Sequence, residues 1–276
     1  MSFFDGSSNP VIYHINAYMF HYYILSLILG TYALLNGYLL QSVIFIFVFI
    51  FSYFAISSSA NIFSDIETEG GSKRTIVYQN YVKDEGVVSL FEYAKDNNID
   101  IVGINNARST KYLELPANNF FQTSPDSKSL ILSKDTPARY GRIMLNSRFE
   151  ASFITLKSED NSFIIINLNL RGISVKEKMH VFENLSEFVL NQDEAVIIIG
   201  DFGIPAWSTT FNKFLLKTGL EVKNSITLTN GLSRFNYTNP PTINLLAYKN
   251  VGISKIKILP KKYKPSYPIL FELMVK

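Results

Sequence analysis

VIIIGDFGIPAWSTTFNKFLLKTGL, residues 196–220, is the stretch on which the fold turns. It opens inside AVIIIGDF at 195–202, an apolar run of strand length that stops at Gly200 and Asp201, residue types that favour a turn. Runs of the same kind precede it: TIVYQ at 75–79, IDIVGI at 99–104, SLILS at 129–133, ASFITL at 151–156 and FIIINLNL at 163–170. Between some of them the apolar residues recur with helical spacing. Gly86 to Asn97 places Val87, Leu90, Phe91 and Ala94 on one face, and Val175 to Asn191 does the same with Met179, Phe182, Leu185, Phe188 and Val189. Helices separate some strands while others follow one another directly, which predicts an α/β fold with mixed sheets.

The charge is distributed unevenly. No Asp, Glu, Lys or Arg occurs between Asp5 and Asp65, so 26 basic residues face 22 acidic ones (23 less Asp5) in the rest of the chain. That balance gives no polyelectrolyte footprint, and nucleic acid is not expected as a partner. The absence of cysteine excludes disulfides, thiolate nucleophiles and cysteine-ligated metal centres. Three histidines, His14, His21 and His180, leave little material for imidazole catalysis.

From Ala17 to Ile56 the chain carries no charge, and one bilayer crossing takes about 20 residues. Two spans fit, Tyr18 to Leu35 and Tyr38 to Ile56, with Asn36-Gly37 as the break. The organisation this predicts is an N-terminal segment over 1–16, two transmembrane helices over 17–56, a small polar linker over 57–74 and a domain over 75–276. A hairpin puts both termini on one side of the membrane and makes lipid a partner.

The order of the pieces resembles a known family. The 196–220 segment is similar to the "GDFN, then Pro-Trp-Ser, then a helix ending in Gly-Leu" segment of the endonuclease/exonuclease/phosphatase superfamily. TIVYQNYV at 75–82 resembles its first strand, which ends in Asn; NNIDIVGINNAR at 97–108 resembles its "pD-ivglQE" strand; and FIIINLNL resembles its "vv-H-l" strand. INLLAYKNVGISKIKIL at 243–259 is similar to the "iDHi" strand, and KPSYPILFEL at 264–273 to the closing "SDHrPv" strand. The resemblance implies a two-sheet β-sandwich flanked by helices, with the site at the strand ends along one edge. An N-terminal membrane segment ahead of such a domain resembles a bacterial branch of the family, which implies the bacterial inner membrane.

In that family the reaction is divalent-metal-assisted phosphoester hydrolysis, which needs carboxylates for a hard Mg²⁺ ion. The matched positions here are largely amides. Asn80 stands at the family's Asn and Asp201 at the Asp of GDxN. Asn106 replaces the metal-binding Glu, with Asn105 at the Gln before it; Gly203 replaces the Asn of GDxN. Asn244 and Leu245 replace the Asp and His of "iDH", and Lys264, Pro265 and Ser266 replace Ser-Asp-His. Asn169, or Asn167 in the other register, replaces the strand histidine.

The expectation is therefore a site without working catalytic residues, cofactor or metal, whose relict positions are Asn80, Asn106, Asn169, Asp201, Asn244 and Ser266. Its polar amides could still bind a neutral ligand. As a turn residue with partial water access, Asp201 should tolerate replacement by Asn within about 1 kcal/mol. Pro205 and Trp207 read as packing, His180 as helix surface, and the basic stretch at 253–264 as a protected sheet edge or a contact for anionic lipid. The reading is a membrane-anchored pseudoenzyme that works as a binding or assembly module with a protein partner. Two others stay open. One is a Mg²⁺-dependent phosphodiesterase or nuclease with atypical ligands, Asp201 among them. The other is a structural membrane subunit that packs helices through Ser26, Gly30, Ala33, Asn36 and Gly37.

Overall fold

The computed structural model describes residues 19–57, 71–80, 84–105, 120–123, 129–158, 161–170, 172–204, 208–223, 244–259 and 268–275. Two antiparallel helices come first, α1 (Met19–Leu35) and α2 (Leu39–Ser57), with Gly37 at φ 77° supplying the left-handed turn between them. Their contact is built from small residues. Ser26, Ala33, Ser42 and Ser52 are buried, Ser42 Oγ donates to Gly30 O across the pair at 3.3 Å, and Tyr23 stacks on Phe49. The large side chains point outward, among them Leu27, Tyr32, Leu40, Val43 and Phe47, all at least half exposed. Among the described residues no helix is long and apolar enough to cross a membrane. By length α1, at 17 residues, falls short of the roughly 20 that a crossing takes, and α2, at 19, comes close.

The rest is a two-layer sandwich. The strands are β1 (Ser72–Asn80), β2 (Ile101–Asn105), β3 (Phe121–Gln122), β4 (Ser129–Ser133), β5 (Arg139–Met144), β6 (Glu150–Ser158), β7 (Asn161–Asn169), β8 (Ala195–Asp201), β9 (Glu221–Lys223), β10 (Asn244–Lys249), β11 (Val251–Ile258) and β12 (Ile269–Val275). One sheet runs β11-β12-β1-β2-β4-β3 and the other β5-β6-β7-β8-β10-β9. Each contains one parallel pair, β1/β2 and β7/β8, and each pair is joined by a helix, α3 (Asp84–Asp96) and α4 (Val175–Leu190). A third domain helix, α5 (Thr209–Thr218), follows β8.

The apolar runs are explained by burial on both faces. Ala195, Ile197 and Ile199 of β8 face the gap between the sheets, where they meet Phe163 and Ile165 of β7. Val196 and Ile198 face the other way, onto Val181, Phe182 and Leu185 of α4. The first sheet does likewise, with Val77 and Val102 packed on Val87, Leu90 and Ala94 of α3. A strand covered twice shows no alternation, so these strands read as continuous hydrophobic stretches.

The structure adjusts one boundary and one helix face. β1 begins at Ser72 rather than Thr75, because it pairs with β12 back to Val275 and engages Glu272 through Lys73. The buried stripe of α4 runs through Lys178, Val181, Phe182, Leu185, Ser186 and Val189, while Met179 and Phe188 are only half-buried. A capping box closes the N-terminus of α4, where Ser174 Oγ accepts from Glu177 N and the Glu177 carboxylate accepts from Ser174 N.

Candidate functional site

The parallel pairs β1/β2 and β7/β8 end on the same side of the sandwich, and each of these four strands ends in a polar residue. In the first sheet Asn80 lies beside Asn105. In the second, Asp201 lies between Asn169 of β7 and Asn244 of β10. Five sequence-matched positions therefore share one edge. Asn106, Ser266, Lys264, Pro265, Pro205 and Trp207 lie outside the described residues. Of the two candidates on β7, Asn169 is level with Asp201, whereas Asn167 sits one pleat deeper, opposite Ile199.

Asp201 is fully buried, and both of its carboxylate oxygens accept hydrogen bonds. Oδ2 takes Asn80 Nδ2 from the facing sheet at 2.8 Å, and Oδ1 takes the backbone N–H of Gly203 at 2.9 Å. This corrects the expectation of partial water access. An Asn at this position would bring a donor to an environment arranged for an acceptor, so the substitution is no longer expected to be neutral.

Beneath this bond the sheets are laced together by amides. Asn105 Nδ2 donates to Leu168 O at 2.7 Å and to the Tyr78 hydroxyl at 3.0 Å. Asn167 Nδ2 donates to Ile104 O at 3.1 Å and Leu130 O at 2.9 Å, and Ser152 Oγ donates to Ser129 O. The carbonyl oxygens of both amides, Oδ1 of Asn105 and of Asn167, have no hydrogen-bond partner among the described residues although both residues are fully buried. The arrangement closes the sheets on one another and leaves two acceptors that a water, or an N–H or O–H of a small ligand, could satisfy.

Lys178 is the residue that the sequence reading passed over. It is buried, and its ammonium donates to Gly203 O at 2.5 Å. Burial pushes its amine down to about 8, while the negative charge of Asp201 pulls in the opposite direction. The signal was present: 178 precedes 181 and 182 by three and four residues, so it lies on the apolar stripe of α4. His180 is exposed beside Glu183, as a helix-surface residue should be.

A hard divalent cation asks for several carboxylate oxygens with free lone pairs. Among the described residues no group of three His, Cys, Asp or Glu side chains converges. Among the described residues, the one carboxylate at this edge accepts two N–H bonds, and a buried ammonium lies nearby. These residues do not fit a catalytic magnesium site.

No protein-family model and no curated protein sequence matches this chain. Solved structures do match. An endonuclease/exonuclease/phosphatase family protein from Bacteroides thetaiotaomicron is 12% identical, with 76% of this chain and 97% of that one covered and a TM-score of 0.57. A mannosyl-6-phosphatase from the same species is 13% identical over 73% of this chain and 99% of that one, with a TM-score of 0.54. The catalytic domain of human Nocturnin, solved with a sulfate anion, is 12% identical over 74% and 95%, with a TM-score of 0.55. At such identities the likeness shows the fold, two mixed sheets flanked by helices as in the endonuclease/exonuclease/phosphatase proteins.

Proposed function

We propose, taking the endonuclease/exonuclease/phosphatase fold as the premise, that this chain is a membrane-anchored binding or assembly module whose strand-end site no longer hydrolyses phosphoesters. One observation carries the non-hydrolytic reading: Asp201, the only carboxylate among the matched positions, is buried with each oxygen engaged by an N–H donor. A carboxylate held in this way has its lone pairs engaged by N–H donors rather than turned toward a cation, and beneath it the amides of Asn105 and Asn167 hold the two sheets together. Membrane anchoring is supported by the hairpin, whose contact is small and polar and whose outer surface is large and apolar, the arrangement suited to hydrocarbon. The bacterial inner membrane is the site we infer, with both termini on one face and a protein partner docking on the domain.

The test is hydrolysis by the full chain in detergent micelles. DNA, RNA, phosphoinositide, sugar phosphate and a simple phosphodiester are offered with Mg²⁺ or Mn²⁺. No turnover is expected. Metal-dependent turnover that disappears in Asp201→Ala would establish the phosphohydrolase reading instead. Copurification from gently solubilised membranes tests assembly directly, and recovery of the chain alone would remove the partner.

A further inference from the structure

Gly203 is gripped from both sides. Its N–H donates to Asp201 Oδ1 at 2.9 Å, and its carbonyl accepts from the Lys178 ammonium at 2.5 Å. One residue thus links a buried anion to a buried cation. The anion needs that company, because an ionised carboxylate removed from water is costly unless it is both hydrogen-bonded and charge-compensated. Asn80 and Gly203 each supply it with a hydrogen bond, and neither carries formal charge.

We propose that Lys178 is the resident counter-cation of Asp201: carried on α4 and fixed to Gly203, its ammonium compensates the charge of the buried carboxylate at neutral pH and below. The inference rests on the non-hydrolytic reading of the site and adds the residue that makes a metal unnecessary there.

Three features place Lys178 in that role. The first is its position on the apolar stripe of α4, where a lysine must be buried and would normally be replaced by a hydrophobe. The second is the space left for it. A Cβ on Gly203 would lie 3.2 Å from Lys178 Cε and 2.4 Å from Leu170 O, so a side chain at 203 would collide with the β7 end and crowd the lysine stem. The third is electrostatic. Asp201 is the charged group that acts on the Lys178 amine, raising its proton affinity against the effect of burial.

A double-variant cycle on the full chain in micelles tests the pairing, read as the domain's melting temperature in EDTA and in excess Mg²⁺. The proteins are the parent, Lys178→Met, Asp201→Asn and the double variant. The expected result is non-additivity: Lys178→Met is less favourable by roughly 2–8 °C when Asp201 is present than when Asn occupies that position. Lys178→Gln, which keeps a donor for Gly203 O but drops the charge, should lose the same coupling as Lys178→Met. Additive shifts, or a coupling preserved in Lys178→Gln, would reduce Lys178 to a hydrogen-bonding or packing residue and overturn the proposal. Should both single lysine variants fail to fold, a folded Lys178→Gln/Asp201→Asn protein supports the pairing and an unfolded one refutes it. A Mg²⁺-dependent rise in the parent that Asp201→Asn abolishes would instead sink the non-hydrolytic reading itself, an outcome separate from additivity.

Discussion

The hairpin and the sandwich are built from similar side chains arranged in opposite order. In the sandwich, Phe163, Ile165, Ile197 and Ile199 are sealed between the sheets, and its largest exposed apolar residues, such as Tyr140, Met144 and Leu216, are scattered. In the hairpin the sealed residues are Ser26, Ala33, Ser42 and Ser52, and the exposed ones form an almost unbroken apolar coat. Water drives the first arrangement, because each apolar surface hidden from it lowers the free energy. Nothing in water drives the second. Small residues inside and large ones outside is what results when the surrounding medium is itself apolar and close backbone contact is the remaining attraction. On the membrane-anchored reading proposed above, one chain carries two folding logics, and each can be tested by changes that should affect only one of them.

The largest expected effect is all-or-none. The full chain should need detergent and stay with the membrane pellet after carbonate washing, while residues 71–276 should be soluble and show a cooperative melt. Full recovery of the intact chain in the carbonate supernatant would end the distinction between the two regions.

Next is a substitution that only the sandwich should feel. Gly200 has φ 148°, and a Cβ there would lie 2.1 Å from Leu168 O, backbone that cannot move without breaking the β7/β8 ladder. Gly200→Ala should destabilise the domain by more than about 3 kcal/mol, measured by denaturant unfolding. A loss below about 1 kcal/mol would mean that the strand ends yield without breaking the β7/β8 ladder.

The third effect is pH-dependent. The Lys178 amine is pushed down to about 8 in the folded domain, below its ordinary value of 10.5. Below pH 8 the native state therefore carries a penalty for holding it charged, and the penalty fades as pH rises toward 10.5. Stability should increase through that window by up to about 1.4 kcal/mol per pH unit, relative to Lys178→Met/Asp201→Asn. Tyr248 acts in the opposite sense at higher pH. Burial and then the nearby Glu221 push its hydroxyl up to about 12, so its contribution is lost only above pH 10, and melts between pH 8 and 9.5 isolate the lysine. Parallel pH profiles for the two proteins would show that Lys178 titrates normally.

What could be read in advance follows the same division. β7 and β8 were legible because burial on both faces leaves continuous apolar runs, and the GDF end of β8 announced its own turn. β5 was not, since RYGRIM is an edge strand exposed along most of its length, with Arg139 and Arg142 paired to Glu194 and Glu150 in water. At the site, sequence brought Asn80, Asn169, Asp201 and Asn244 to one edge but could not see that Asp201 is sealed, because burial depends on how closely the facing sheet approaches. Lys178 was hidden by its own charge: a lysine interrupts an apolar stripe, so the helical pattern was completed through its neighbour Met179.

The smallest effect is also the most discriminating, because the hairpin and the sandwich both contain a tightly placed glycine. Gly30 of α1 faces α2, and a Cβ there would lie 3.2 Å from Phe45 Cβ, with the next atom, Ile46 N, at 3.9 Å. The obstacle is a Cβ that moves only with the α2 backbone, but it needs to give by only a few tenths of an ångström, whereas the Gly200 contact is a carbonyl fixed in a ladder; Gly30 also has ordinary helical backbone, so no φ strain adds to it. Against a shift of a few tenths of an ångström stands the helix propensity of alanine, which favours the substitution by about 1 kcal/mol. The two terms are of similar size and opposite sign. Gly30→Ala should therefore leave the hairpin within about 1 kcal/mol of the parent, a change of less than roughly fivefold in hydrogen exchange at the amides around Gly30 and Ser42 in micelles. Acceleration beyond tenfold would show that the two helices meet backbone to backbone with no slack, and that the hairpin is as unforgiving as the sandwich.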